Sequence, residues 1–116
     1  MTSTATSEKR LFPRLVVTLT AHCRIGNRYV RDPIGDLSLG GLFLRTRERA
    51  KEGTPVRVAL ALPSLHGPRY CTLVGNVARV DRDLAGTFRG LGVSFAEEQI
   101  GAADRLALER FFAQPA

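Results

Sequence analysis

Residues 56–62 read VRVALAL. Val56, Val58, Leu60 and Leu62 take every second position, with Arg57, Ala59 and Ala61 between them. A period of two marks a strand with one face buried and the other turned to water. The same pattern recurs on both sides of this stretch. Upstream, Leu15, Val17, Leu19, Ala21 and Cys23 alternate with Val16, Thr18, Thr20 and His22. Downstream, Leu91, Val93 and Phe95 alternate with Gly90, Gly92 and Ser94. Between these lie a strand starting near Tyr29, a short one over 42–46 and a long one over 70–80. Asp32-Pro33 is expected to interrupt the second strand, as an edge or a bulge would, and Gly75-Asn76 to bulge the fifth. Turn signals separate the strands: Gly26-Asn27, Glu52-Gly53, the 63–68 loop and the polar 81–87 hairpin.

The pattern changes after residue 96. Residues 97–112 contain no proline, and Ile100, Ala103, Ala107 and Phe111 form one stripe at helical spacing. Glu97 and Glu98 open the segment and Arg110 lies near its end, as the helix dipole favours. Six short strands and a final helix predict an all-β fold: a six-stranded antiparallel β-barrel with a C-terminal α-helix over about 97–112, packed as a lid. Closing the sheet removes the open edges that a sheet of this size would otherwise have to protect. Residues 1–8 are expected to be a flexible tail, and residues 9–116 the domain.

The chain has 116 residues, 44% of them hydrophobic, which suits one domain with a real core. No apolar run approaches the roughly 20 residues of a membrane-spanning helix. Residues 1–7 lack the apolar stretch of a signal peptide. A cytoplasmic protein with no membrane insertion, monomeric or weakly dimeric, is expected. Cys23 and Cys71 then read as buried thiols. They do not suggest zinc with His22 and His66, because there is no CxxC pair and neighbouring strand residues face opposite ways. The formal charge of +6 favours an anionic or phosphate-bearing partner. Only Lys9 and Lys51 of the 17 cations are lysines, so arginine carries the charge. Its planar fork fits phosphate oxygens and the guanine edge, and it stacks on flat rings. A GC-rich genome would produce the same skew.

Two segments exceed what strands and turns require. KRLFPR (residues 9–14) places three cations within six residues. Pro13 disfavours helix at Phe12, so Arg10 and Arg14 can converge on one ligand from an extended or turned backbone. DLSLGG (residues 36–41) lies between two strands. Asp36 and Ser38 are two apart and would point the same way if the stretch is extended. A carboxylate can accept from the guanine N1 and N2 donors, and a serine hydroxyl can donate to phosphate. Gly40 and Gly41 let a ligand approach the backbone closely. Either segment alone is weak, since an Asp-x-Ser turn is usually held by its own side chains. Together, flanking one strand in a small β-rich chain, they point to a ligand site.

With both motifs in place, the chain resembles the PilZ domain family. RLFPR (10–14) matches the family's RxxxR motif and DLSLGG its [D/N]xSxxG motif. GLFLRT (41–46), VRVALALP (56–63), GNVARV (75–80) and GLGVSF (90–95) are similar too, so the resemblance covers residues 9–96. It implies a six-stranded antiparallel barrel that binds the bacterial second messenger cyclic di-GMP, with no separate cofactor. Arg10 and Arg14 would hold phosphates and guanine edges from an arm that is ordered on binding. Asp36 and Ser38 would contact guanine, and Gly41 would keep the turn tight. Lys9 stands where the family varies between binding one ligand and a stacked pair. Arg79 is a further candidate for stacking or phosphate contact, though a solvated strand residue is the plainer reading. Tyr70 and Phe88 could also stack, but aromatics on barrel strands are more often core.

The resemblance implies signalling to a separate effector protein, with motility, pili, exopolysaccharide or development as outputs. An enzyme is not expected: no metal cluster, catalytic triad or P-loop is present. A PilZ-like adaptor that binds only proteins is the alternative, and the intact motifs count against it. A single-stranded nucleic-acid binder fits less well, because aromatics are 7% of the chain and Trp is absent.

Overall fold

The computed structural model describes residues 15–113. Its strands are β1 (Leu15–Ile25), β2 (Arg28–Leu37), β3 (Gly41–Leu44), β4 (Pro55–Leu62), β5 (Arg69–Arg82) and β6 (Phe88–Phe95). One turn of 3-10 helix comes next at Glu97–Gln99, and then helix α1 (Ala102–Ala113). All strand pairs are antiparallel, and the ring order is β1-β2-β3-β6-β5-β4, closed by β4 against β1. The all-β barrel with a C-terminal helix is the architecture that the alternating pattern predicts.

The alternation of VRVALAL is reproduced residue by residue. Val56, Val58, Leu60 and Leu62 are buried, while Pro55, Arg57 and Ala59 are exposed. Ala21, Cys23 and Ile25 of β1, Leu73 and Val77 of β5, and Leu91 and Val93 of β6 meet them inside the ring. Each large aliphatic side chain taken wholly out of water contributes about 1.5–3 kcal/mol, which makes this inner face the main source of stability.

Three local expectations need correction. Asp32-Pro33 does not interrupt β2, which runs unbroken from Arg28 to Leu37. Proline removes only the N–H, and the Pro33 carbonyl still accepts the Arg45 N–H at 2.9 Å. The bulge in β5 is not at Gly75-Asn76, which stay paired with Phe95 and Ser94. The register slips instead between Val77 and Arg79, so Ala78 is the extra residue. A bulge re-aims the side chain beyond it, which here is Arg79.

The third correction is the helix. It begins at Ala102 rather than near 97, because Ile100 is extended (φ −89°, ψ 130°) and Gly101 is a poor helix former. The inward stripe shifts accordingly. Ala107 and Leu108 are buried and Phe111 and Phe112 half-buried, whereas Ala103 is exposed. Helix α1 packs on β5 and β4. Its first turn is pinned by Asp104 Oδ1, which accepts the Thr72 N–H at 3.0 Å. No helix among the described residues is long and apolar enough to cross a membrane.

Both thiols lie in the core, Cys23 at 3% exposure and Cys71 at 4%. Burial, reinforced by the Asp32 carboxylate, pushes Cys23 up to about 12. Burial, with Asp104 adding to it, pushes Cys71 up to about 11. Both are therefore protonated and unreactive in the folded state. A folded-state pKa above the ordinary 9.0 gives stability that is complete below pH 9 and lost as pH rises through 11–12, where the unfolded chain ionises first. At pH 8 neither thiol should react with an aromatic disulfide reagent until denaturant unfolds the protein; rapid labelling of the native state would contradict this burial. The urea midpoint should fall as pH rises above 9, and less steeply in a Cys23→Ala/Cys71→Ala variant.

Candidate functional site

The DLSLGG stretch leaves the sheet at Leu37 and re-enters it at Gly41. Ser38 sits at the hinge and is buried, at 7% exposure. Its Oγ accepts the N–H groups of Gly40 and Gly41, both at 3.1 Å, and donates to the Gly41 carbonyl at 3.2 Å. The Ser38 N–H donates to the same carbonyl at 2.8 Å. The Gly40 carbonyl accepts the Phe95 N–H at 2.9 Å, which ties the turn to the end of β6. The expectation that Asp36 and Ser38 project together from one extended stretch is therefore not met. The strand ends between them, and the serine hydroxyl is occupied in shaping the turn. A β-carbon on Gly41 would run into the Val93 carbonyl oxygen, so this crossing of β3 onto β6 admits only glycine.

Asp36 remains on β2, opposite Phe43 of β3. It lines a depression of ≈ 220 Å³ on the outer wall, together with Gly35, Phe43, Arg45, Arg79, Asp81 and Arg89. The wall is built from the ends of β2, β3, β5 and β6. Gly35 is the extra residue where β2 slips against β3. Phe43 is 7% exposed yet stands apart from the core cluster, on the outside of the barrel. Arg79 covers it, with the guanidinium carbon 6.0 Å from the ring centroid. Arg79 also crosses Gly92: a β-carbon there would stand 2.8 Å from Arg79 Cγ and 2.9 Å from Nη1. Gly92 thus leaves the space that the arginine side chain occupies. Arg89 and Asp81 form an ion pair at 4.0 Å on the same rim.

This arrangement offers three guanidiniums and two carboxylates around one shielded ring. Guanidiniums grip phosphate oxygens or the O6/N7 edge of guanine, and a carboxylate accepts from its N1–H and N2–H₂. Among the described residues no three His, Cys, Asp or Glu side chains gather as a metal site would need. Of the sequence-derived site residues, the structure brings Asp36 and Arg79 to this depression, with Ser38, Gly40 and Gly41 in the adjoining turn. Lys9, Arg10 and Arg14 lie outside the described residues. Tyr70 is on the opposite wall, and Phe88 packs half-buried at the core edge beneath the Arg49 guanidinium, 5.4 Å from its centroid.

Sequence reasoning missed five residues here. Phe43, Arg45, Asp81 and Arg89 line the depression. Strand alternation could have found Arg45, which stands two residues beyond Phe43. Arg105 is the fifth. From α1, its Nη1 donates to the Leu39 carbonyl at 2.9 Å, while its other nitrogens reach Glu97 at 3.5 Å and Glu109 at 3.1 Å. It thereby joins the turn, the 3-10 segment and the helix across 66 positions of sequence. No local pattern announces such a contact.

Comparison with known proteins agrees with this architecture. The family model of the PilZ domain matches residues 8–114. The structure is similar to that of the Bacillus subtilis inhibitor of motility MotI/DgrA, with a TM-score of 0.75 and 20% identity over 89% of this chain. The chain spans 48% of that protein's length. It is also similar to the PilZ domain of YcgR from Escherichia coli, solved with c-di-GMP, with a TM-score of 0.62 and 18% identity over 90% of each chain. A tetrameric PilZ-domain protein from Xanthomonas campestris aligns with a TM-score of 0.51 and 27% identity over 74% of this chain and 44% of its own. No curated protein sequence gives a significant match. The family model covers nearly the whole chain, and on that ground the chain belongs to the PilZ domain family.

Proposed function

We propose that this domain binds cyclic di-GMP on the wall formed by β2, β3, β5 and β6, and signals to a separate protein. The observation that carries the reading is the depression itself. Arg79 crosses Gly92 toward the Phe43 ring in a depression that Asp36, Asp81 and Arg89 also line. Cyclic di-GMP carries two guanines and two phosphates, and these groups match that set of donors and acceptors. The guanine edge would meet Asp36 and a guanidinium, and Arg79 would stack on the base or hold phosphate. Arg10 and Arg14 would close over the phosphates from the N-terminal side. Ser38, Gly40 and Gly41 contribute the backbone shape against which the ligand rests. The domain acts by binding and not by catalysis, in the cytoplasm where the nucleotide is made. The c-di-GMP bound in the YcgR domain and the motility inhibition named for MotI support the ligand and the kind of output.

Calorimetric titration with cyclic di-GMP, with GTP and cyclic GMP as controls, tests the reading. Binding should be micromolar or tighter and should vanish in an Arg10→Ala/Arg14→Ala variant. Asp36→Ala and Arg79→Ala should each weaken it by about 10- to 100-fold, the range for losing a charge-assisted hydrogen bond. Their thermal midpoints should stay close to that of the parent. Absence of nucleotide binding by the parent protein would leave a protein-only adaptor.

Arg105→Gln gives a separate expectation. Loss of the bond to Leu39 should speed amide exchange at Gly40 and Gly41 and weaken cyclic di-GMP severalfold, while the barrel core amides remain protected. Unchanged exchange in the turn would show that Arg105 does not hold it.

A further inference from the structure

The opposite wall of the barrel has a distinct chemistry. In the ring order, β1 lies three places from β6 and β4 three places from β3, so β1 and β4 face away from the depression lined by Asp36 and Arg79. The outward residues here are Thr20, His22 and Arg24 of β1, Tyr29, Arg31 and Pro33 of β2, and Arg57 and Ala59 of β4. None is acidic. Arg24 is the direct cross-strand partner of Arg57, and His22 that of Arg31. Two guanidiniums directly opposite, as on Arg24 and Arg57, destabilise a sheet. Yet among the described residues Arg24, Arg31 and Arg57 have no carboxylate at ion-pair distance. Among the described residues the wall therefore holds a positive stripe without an ion pair, and the carboxylate that lines its trough is Asp104, at the Tyr70 end, where it accepts the Thr72 N–H.

The stripe lies in a trough. A depression of ≈ 450 Å³ contains Tyr29, Arg24 and Arg57, and one of ≈ 380 Å³ contains Tyr70, Thr72 and, from helix α1, Asp104. The two share His22, Arg31 and Ala59, so they form one continuous channel with a tyrosine at each end. Both rings are open to solvent, Tyr29 at 78% and Tyr70 at 77%. Tyr29 is flanked by the Arg24 guanidinium, 5.8 Å from its centroid. Composition alone argues against base stacking, with few aromatics and no Trp, but the fold gathers both tyrosines of the chain on this one face.

The structure assigns this face to a short stretch of single-stranded nucleic acid. Phosphates would lie along Arg24, Arg31, Arg57 and His22, and bases would stack on Tyr29 and Tyr70. Cationic grooves bordered by open aromatic rings are the means by which small barrels take single strands without sequence preference. An acidic protein segment fits less well, because no exposed Leu, Ile, Val, Phe or Met stands on the face to anchor it. The inference does not rest on cyclic di-GMP binding, which uses the other wall.

The test is fluorescence anisotropy of a fluorescein-labelled oligothymidylate of about 12 nucleotides with the whole chain, at low and at moderate salt. Saturable binding that weakens with salt is expected. Arg57→Glu and Arg31→Glu should each weaken it about tenfold or more, and Tyr29→Ala and Tyr70→Ala severalfold, a loss within the range of one base–ring stack. Lys51→Glu, the same charge change in an exposed turn, should leave the affinity within about twofold. Thermal melts establish that each variant is folded. If Lys51→Glu weakens binding as much as Arg57→Glu, the attraction is net charge alone and the site is refuted. Full affinity in both tyrosine variants refutes stacking. Displacement of the oligonucleotide by polyglutamate, with polyglutamate binding unaffected by either tyrosine change, would give the face to an acidic protein segment and overturn the assignment.

Discussion

A six-stranded sheet has two raw edges unless its end strands meet, and here they meet over a short span. His22–Ile25 of β1 pair with Val56–Ala59 of β4, and that pairing turns an open sheet into a ring. Closure fixes the direction of every side chain. Wherever the pairing runs without a bulge, one residue points inward and the next outward, because a slip of a single residue would drive arginines into the core. It also decides which outward residues become neighbours. β3 is held against β6 where Gly41 passes the Val93 carbonyl, and β2 reaches β3 through the extra residue Gly35. The outer wall is assembled by these crossings and not by any one segment.

Both outer walls depend on the same ring. On the β2, β3, β5 and β6 side, three slips break the alternation, and all lie at the depression. Gly35 slips β2 beside Asp36, Ala78 slips β5 just before Arg79, and Arg89 is the extra residue of β6 where β5 slips after Asp81. The result is a mixed wall of guanidiniums and carboxylates, suited to a ligand with both phosphates and base edges. On the β1 and β4 side the described pairing runs without a slip, and the outward residues line up as a stripe of one sign. Arg105 adds a link from the first wall to helix α1. A change in the turn at Leu39 is thereby felt by the helix, which packs on β4 and β5.

Much of the fold was legible in the sequence because burial in a barrel is written at period two. VRVALAL could hardly be anything but a half-buried strand, and the recurrence of its pattern predicts the ring. The Asp36–Gly41 turn was legible as a turn, since serine and paired glycines have few other uses between strands. What escaped reading depended on contacts distant in sequence. The slip that aims Arg79 sits at Ala78, a residue with no turn signal, and not at the conspicuous Gly75-Asn76. Ser38 turned inward because the strand stops at Leu37, and strand ends depend on pairing partners. The helix began late because Gly101 and an extended Ile100 outweighed the acidic residues before them. Arg89 and Arg105 matter only through residues that the fold brings to them.

The central claim is that the nucleotide occupies the wall bearing Asp36, Phe43 and Arg79. The most direct test tracks backbone amide shifts of isotope-labelled protein during titration with cyclic di-GMP. The account predicts that the largest shifts fall at Gly35, Asp36, Gly41, Phe43, Arg79 and Gly92, while His22, Arg24 and Arg57 stay in place. Shifts centred on the β1–β4 wall, or no shifts at saturating nucleotide, would contradict it.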